Sequence, residues 1–303
     1  MKKTRINTAN IRHGLTRINT VSKNIRYELT QIIFALFLLF NFLTVVSADM
    51  QTNIEYGKAS DETLLFDVCV PEGNGLNPAV IIVHGGGWSN GDKQQDVTVL
   101  FKPLTDANFV WFSINYRLAP KSHWPACFED VKSAIRWVKA NGAKYKADPN
   151  RIAIVGYSAG GQIACLAAVQ ADENTRVGAV VGLAPPTDLV SDTLRRGGLS
   201  DSLKNLFGQE AVDSNVLQLL WDSSPINHTG AGLPPFLLVH GTADKSVPYQ
   251  QSLNFKARLE AAGARCDIIT IKDAGHRITE WSNFDADYTK KITDWLTQTL
   301  NKK

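Results

Sequence analysis

The chain is poor in several things that would each have named a function. Its 303 residues hold four cysteines. None of the four (Cys69, Cys127, Cys165, Cys266) stands at metal-ligand spacing from another, so no zinc site or other metal is expected. Cys69 falls in an alternating strand-like stretch and Cys165 in an apolar helical one, which reads as buried free thiols; disulfides, with three complete pairings open, are the alternative. No internal repeat and no low-complexity tract is present, which excludes solenoids and arrays. Beyond residue 48 no apolar run approaches membrane-spanning length.

An excess of positive charge is also missing where it would count. The whole chain has 32 Lys+Arg against 29 Asp+Glu, a formal +3. Seven of those bases and one of those acids, Glu28, lie in the first 48 residues, leaving 25 and 28, or −3, for the rest. The basic balance belongs to the amino-terminal segment, so nucleic acid is not an expected partner. That segment has a basic start, an uncharged run QIIFALFLLFNFLTVVSA (31–48) and a small-residue end at Val46-Ser47-Ala48. This is the pattern of a secretory signal cut after Ala48, which predicts an exported protein. An uncleaved anchor is the alternative, and membrane association is expected only in that case. Residues 49–303 are enough for one well-buried domain.

What is present is an alternation. NIEYGK and LLFDVCV form an initial strand pair. Short apolar runs follow at 79–85, 109–115, 151–156, 177–184, 235–241 and 266–271, the signature of parallel strands buried on both faces. Helix candidates lie between them at about 96–107, 125–141, 159–171, 250–262 and 284–299. In the second, Pro125 stands at the start, Val131, Ile135 and Val138 make an apolar stripe, and Gly142 follows the end. The pattern predicts an α/β domain with a mostly parallel eight-stranded sheet flanked by helices. The segment at about 186–233 breaks the rhythm, with helices near 201–207 and 213–221, and reads as an inserted lid or binding element.

Within that frame, IAIVGYSAGG (152–161) places Ser158 between glycines where a strand becomes a helix. A sharp turn there projects the side chain outward beyond the carboxyl end of the sheet, where open parallel sheets bind ligands. Glycine and serine are common enough that the motif alone is weak; its placement makes it strong. A serine hydroxyl needs a base, and the base needs an acid to hold its tautomer. Asp244 follows the penultimate strand in PFLLVHGTADKSVP, and His276 follows the last in CDIITIKDAGHRI. Both fall at the same sheet edge as Ser158. Asp273 lies only three residues from His276 and would have to fold back on it. His240, at a strand end, reads as packing, and His123 and His228 have no partner visible in sequence. The expected catalytic set is therefore Ser158, His276 and Asp244. HGGGWSNGDK (84–93) follows the first parallel strand, and its glycines leave backbone N–H groups free to face the site. Gly86 and Gly87, with Ala159 after the serine, are the expected oxyanion donors, and the Trp88 N–H is the substitute. His84 is expected to brace the loop. A phosphate-binding loop is disfavoured because no Lys-Ser/Thr pair follows at the required spacing.

HGGGWSNGDK, INYRLAP (114–120), RIAIVGYSAGGQIA, SSPINH (223–228), HGTADKSVP (240–248) and AGHRI (274–278) together resemble the α/β-hydrolase superfamily. They are most similar to bacterial exported esterases related to hormone-sensitive lipase and to feruloyl and acetylxylan esterases. The W-x-x-G-D-K ending of the first piece favours the carbohydrate-esterase side. So does the short stretch, about thirty residues, between Ala48 and the HGGG strand, which departs from a hormone-sensitive-lipase type cap. The resemblance implies hydrolysis of carboxylic esters with no cofactor, acting on a small-molecule or oligosaccharide ester. An amide hydrolase or small peptidase would use the same triad, and a non-catalytic recognition module would be expected to have lost part of it. Trp88, Trp221 in the insertion and Trp281, five residues after His276, are candidates to line the pocket.

Overall fold

The computed structural model describes residues 48–59, 61–73 and 75–301. The expected signal or anchor, apart from its last residue, lies outside them.

Eight strands form one sheet in the order β1-β2-β4-β3-β5-β6-β7-β8. The strands are β1 (Asp49–Ala59), β2 (Glu62–Val70), β3 (Asn77–Val83), β4 (Val110–Ile114), β5 (Ala147–Tyr157), β6 (Ala179–Leu183), β7 (Phe236–Gly241) and β8 (Cys266–Ile271). β1 and β2 form an antiparallel hairpin, and β2 pairs antiparallel with β4; every other pairing is parallel. The expected mostly parallel eight-stranded sheet is therefore observed.

Alternation along each strand feeds two cores. Ile81 and Val83 of β3 join one apolar cluster, and Val80 and Ile82 join the other. Phe112 and Trp111 of β4 divide in the same way. This is why these strands read as unbroken apolar runs: both faces are covered. Helices α1 (Phe101–Asp106) and α8 (Tyr288–Leu300) bury Leu104, Ile292 and Leu296 on one face. On the other face lie α2 (Ala126–Asn141), α3 (Ala159–Val169) and α7 (Gln250–Ala261). The expected stripe of α2, Val131, Ile135 and Val138, packs there with Ile163 of α3 and Phe255 of α7. All four cysteines are buried and free, as the thiol reading had it.

Between β6 and β7 the chain forms α4 (Leu189–Arg196), α5 (Asp201–Phe207), α6 (Ser214–Asp222) and a 3₁₀ turn at Pro225–His228. Asp188, Ser200 and Asp213 each accept a backbone N–H at the start of one of these helices, satisfying a donor that the helix cannot. Gly197 and Gly208 end the first two in the left-handed conformation. Gln251 of α7 clips the base of this insertion. Its Oε1 accepts the N–H groups of Thr187 and Asp188 at 2.9 and 2.7 Å. Among the described residues no helix is long and apolar enough to cross a membrane.

Candidate active site

The turn from β5 into α3 holds Ser158 at φ 51°, ψ −118°, a conformation that a non-glycine residue adopts only when its surroundings enforce it. The enforcement is visible in the flanking glycines. A β-carbon on Gly156 would lie 2.2 Å from the Gly160 carbonyl oxygen, and one on Gly160 would lie 2.2 Å from that of His84. Neither position has room for a side chain, so the strand, the helix and the glycine loop close on one another and leave Ser158 projecting.

His276 Nε2 lies 2.9 Å from Ser158 Oγ, and His276 Nδ1 lies 2.6 Å from Asp244 Oδ2. The three come from the ends of β5, β7 and β8, which places them on one sheet edge. Asp244 is buried, and its Oδ1 accepts the N–H groups of Ser246 and Val247 at 2.8 and 2.9 Å. Burial alone would raise its pKa. Hydrogen bonds from His240 and His276, the charge of His276 and the Val247 N–H outweigh that and hold the carboxyl well below the usual carboxylate range.

The glycine loop stands opposite. His84 braces it, as expected: the imidazole is buried, stacks on Tyr116 with centroids 4.3 Å apart, and its Nδ1 lies 2.7 Å from the Gly85 carbonyl oxygen. Burial pushes its pKa down to about 4. At the far end, Lys93 forms a buried ion pair with Asp67 at 3.2 Å. Gly87, Trp88 and Ala159 border the same half-open cavity as Ser158 and His276, which has a volume of about 180 Å³. Gly86 borders a neighbouring, more open groove that also reaches Ser158 and His276. Ala159 is the first residue of α3, so its N–H has no partner within the helix.

Of the three tryptophans, only Trp88 lines the cavity. Its indole N–H donates to Gln162 Oε1 at 2.9 Å, and Gln162 Nε2 donates to the Ser223 carbonyl at 2.6 Å. Gln162 thereby joins α3, the glycine loop and the end of the insertion. Trp281 does not line the pocket. It is 0% exposed, its indole N–H donates to the Gly275 carbonyl, and it packs in the core beside Tyr288. Trp221 is 51% exposed near the end of α6 and borders neither cavity. Sequence reasoning missed the polar wall of the cavity: Asp192 and Arg196 of α4, Ser200 and Ser202 at α5, and Ser246. Arg196 Nη2 donates to the Ser246 carbonyl and its Nε to Asp192, each at 2.7 Å. The alternation of charge in SDTLRR was the available signal, since Asp192 with Arg196 is an i,i+4 helix pair. Among the described residues no group of three or more His, Cys, Asp or Glu could hold a metal ion.

A serine in a strained strand-to-helix turn, facing a histidine and a buried carboxylate at one edge of a doubly covered, mostly parallel sheet, defines an α/β hydrolase. Within that class the chain belongs to the BD-FAE family, whose model matches residues 66–259. Esterase LipC of Mycobacterium tuberculosis is 34% identical over 212 residues, covering 66% of this chain and 52% of that protein. The chain spans about half the length of the curated relatives it matches, LipC, LipM and LipQ among them. Among solved structures, a truncated form of a carbohydrate esterase from gut microbiota superposes with a TM-score of 0.75 at 29% identity, over 86% of this chain and 99% of that one. A bifunctional GH43-CE protein of Bacteroides eggerthii gives 0.72 at 28%, over 82% of this chain and 38% of that one.

Proposed function

We propose that the protein is a serine esterase that removes short acyl groups from polar alcohols, acylated saccharides among them. The observation that carries this is the unbroken chain Ser158–His276–Asp244, at 2.9 and 2.6 Å, beside a small cavity whose lining is part polar and part apolar. The esterase names of LipC and of the gut carbohydrate esterase support the ester bond as the target.

His276 Nε2 takes the Ser158 proton as Oγ attacks the ester carbonyl carbon. The carbonyl oxygen becomes an oxyanion and accepts hydrogen bonds from the N–H groups of Ala159 and of Gly86 or Gly87, with Trp88 as the substitute donor. Asp244 remains ionised and stabilises the imidazolium. The imidazolium then gives its proton from Nε2 to the departing alkoxide, leaving an acyl-serine. Water, deprotonated by the same nitrogen, attacks the acyl carbon and releases the acid and free Ser158.

The test is turnover of p-nitrophenyl acetate and acetylated xylo-oligosaccharides beside matched acetanilides, with labelling of Ser158 by a fluorophosphonate. Ester turnover with no anilide turnover is the expected result. Efficient anilide cleavage would turn the reading toward amides. We extend the proposal to location: the protein is exported and begins at or near Asp49. Intact residues 31–48 on membrane-bound protein from the native host would instead show an anchor.

A further inference from the structure

A second imidazole reaches the triad carboxylate, and the ester hydrolysis above gives it no task. His240, near the end of β7, is fully buried. Its Nε2 lies 3.1 Å from Asp244 Oδ2 and 3.0 Å from the Val247 carbonyl oxygen, and its Nδ1 lies 2.7 Å from Ser252 Oγ. Both neighbours of Nε2 are acceptors, so Nε2 must carry a hydrogen. Whichever way the proton between Nδ1 and Ser252 points, Nε2 is the donor.

Asp244 Oδ2 therefore receives two imidazole N–H groups, His276 Nδ1 at 2.6 Å and His240 Nε2 at 3.1 Å. Oδ1 receives two backbone N–H groups. The four donors fix the carboxylate plane. Of the two imidazoles, only His276 is on a loop. His240 stands on a strand paired to β8 across His240↔Thr270. Tyr249 closes over its ring edge-on at 5.7 Å, and Ser252 of α7 holds its far nitrogen.

We propose that His240 is a positioning residue. Its Nε2–H fixes the direction of Asp244 Oδ2, so that the carboxylate offers His276 a single orientation and keeps Nε2 of His276 aimed at Ser158. The inference rests on the esterase reading of the site. It is more than packing, because a buried apolar side chain of the same size would fill the space and leave Oδ2 one donor short.

The experiment compares His240→Leu, which keeps bulk and loses the donor, with His240→Gln, whose amide can reach Asp244. Ser252→Ala, which frees the far nitrogen, serves if His240→Leu does not fold. In the variants that keep His276, active sites are counted with the fluorophosphonate so that rates refer to competent molecules; those without it are compared per folded protein. With p-nitrophenyl acetate, His240→Leu should lose on the order of 10²-fold in kcat, the scale of a misplaced catalytic group, with KM little changed. His240→Gln should recover much of that loss, and Ser252→Ala should show a smaller loss in the same direction. In a His276→Ala background, His240→Leu should cost nothing further. Unchanged kcat in His240→Leu and Ser252→Ala, equal losses with Leu and Gln, or the same loss without His276 would each overturn the inference. Ser158→Ala separates the two levels. If ester turnover survives it, the esterase reading falls; if turnover is lost but the His240 variants are normal, only this inference does.

Discussion

A β-carbon added to Gly87 would lie 2.7 Å from Ser202 Oγ, so the insertion rests directly on the glycine loop. The equivalent atom on Gly86 would lie 2.0 Å from the Asn90 carbonyl oxygen. The two glycines should therefore respond differently to alanine. At Gly87, φ is +57° and the obstacle is a rotatable hydroxyl, so Gly87→Ala should cost about 1–2 kcal/mol of left-handed strain and a reduced kcat. At Gly86, φ is +113° and the obstacle is backbone. Gly86→Ala should lower stability further and abolish turnover. Urea unfolding and kinetics on both variants check this; equal effects would show that the loop yields more easily than its contacts imply.

Ser158, His276 and Asp244 are one hydrogen-bonded chain, so their losses should not multiply. Ser158→Ala and His276→Ala should each cost roughly 10⁴- to 10⁶-fold in kcat, with the double variant little worse. Single-turnover rates with unchanged circular dichroism are the measurement. A double-variant loss equal to the product of the single losses would separate the two residues into independent roles.

The cavity at Ser158 is small, about 180 Å³, and its wall carries Asp192, Arg196, Ser200, Ser202 and Ser246. A long apolar groove would reward each added methylene by about 0.8 kcal/mol; here Trp88, Pro186, Leu189, Leu203 and Val247 share the lining with those polar groups. On p-nitrophenyl esters below their micellar limits, kcat/KM should be highest from acetyl to butyryl and fall by octanoyl. A rising series to decanoyl would contradict the cavity.

His84 should make the fold acid-sensitive before most carboxylates titrate. An unfolded histidine binds its proton near pH 6.5, whereas burial holds folded His84 at about 4. Between those values the unfolded chain holds more protons. The stability of the neutral state is thus complete above about pH 6.5 and declines as pH falls toward 4, by roughly 3 kcal/mol. Denaturant curves at pH 7, 5.5 and 4 should show the gap between wild type and His84→Gln narrowing as pH drops. A constant gap would remove the buried imidazole from the explanation.

Sequence reading reached the sheet and the meeting of three side chains at its edge for the same reason. Apolar runs mark strands buried on two faces, and in such a sheet the residues just past strand ends share an edge, so Ser158, Asp244 and His276 could be gathered without coordinates. What it could not see was side-chain direction. Trp281 and His276 are five residues apart on one loop, yet the indole turns into the core and the imidazole toward Ser158. His240 read as packing because a strand-end histidine gives no hint that the next turn carries Asp244 back to its ring. Helix α4 was not among the helices expected in the 186–233 segment, because TDLVSDTLRRGG is rich in turn-forming residues. Its short span is held by the Asp188 cap and the Asp192 pairings with Arg195 and Arg196, which local apolar periodicity does not report.

Gln162 makes the insertion a replaceable part with a defined socket. The insertion leaves from β6 and returns to β7, adjacent strands, so exchanging it leaves the strand order untouched. The hydrogen bonds that hold it include Gln162 to the Ser223 carbonyl, Gln251 to the Thr187 and Asp188 amides, Arg196 to the Ser246 carbonyl and the Trp124 N–H to the Leu206 carbonyl. A foreign segment that kept a carbonyl for Gln162, two amides for Gln251 and a cation for Ser246 would meet the same scaffold. Exchanging the segment would change the wall over Ser158 and leave the sheet that carries it as it is.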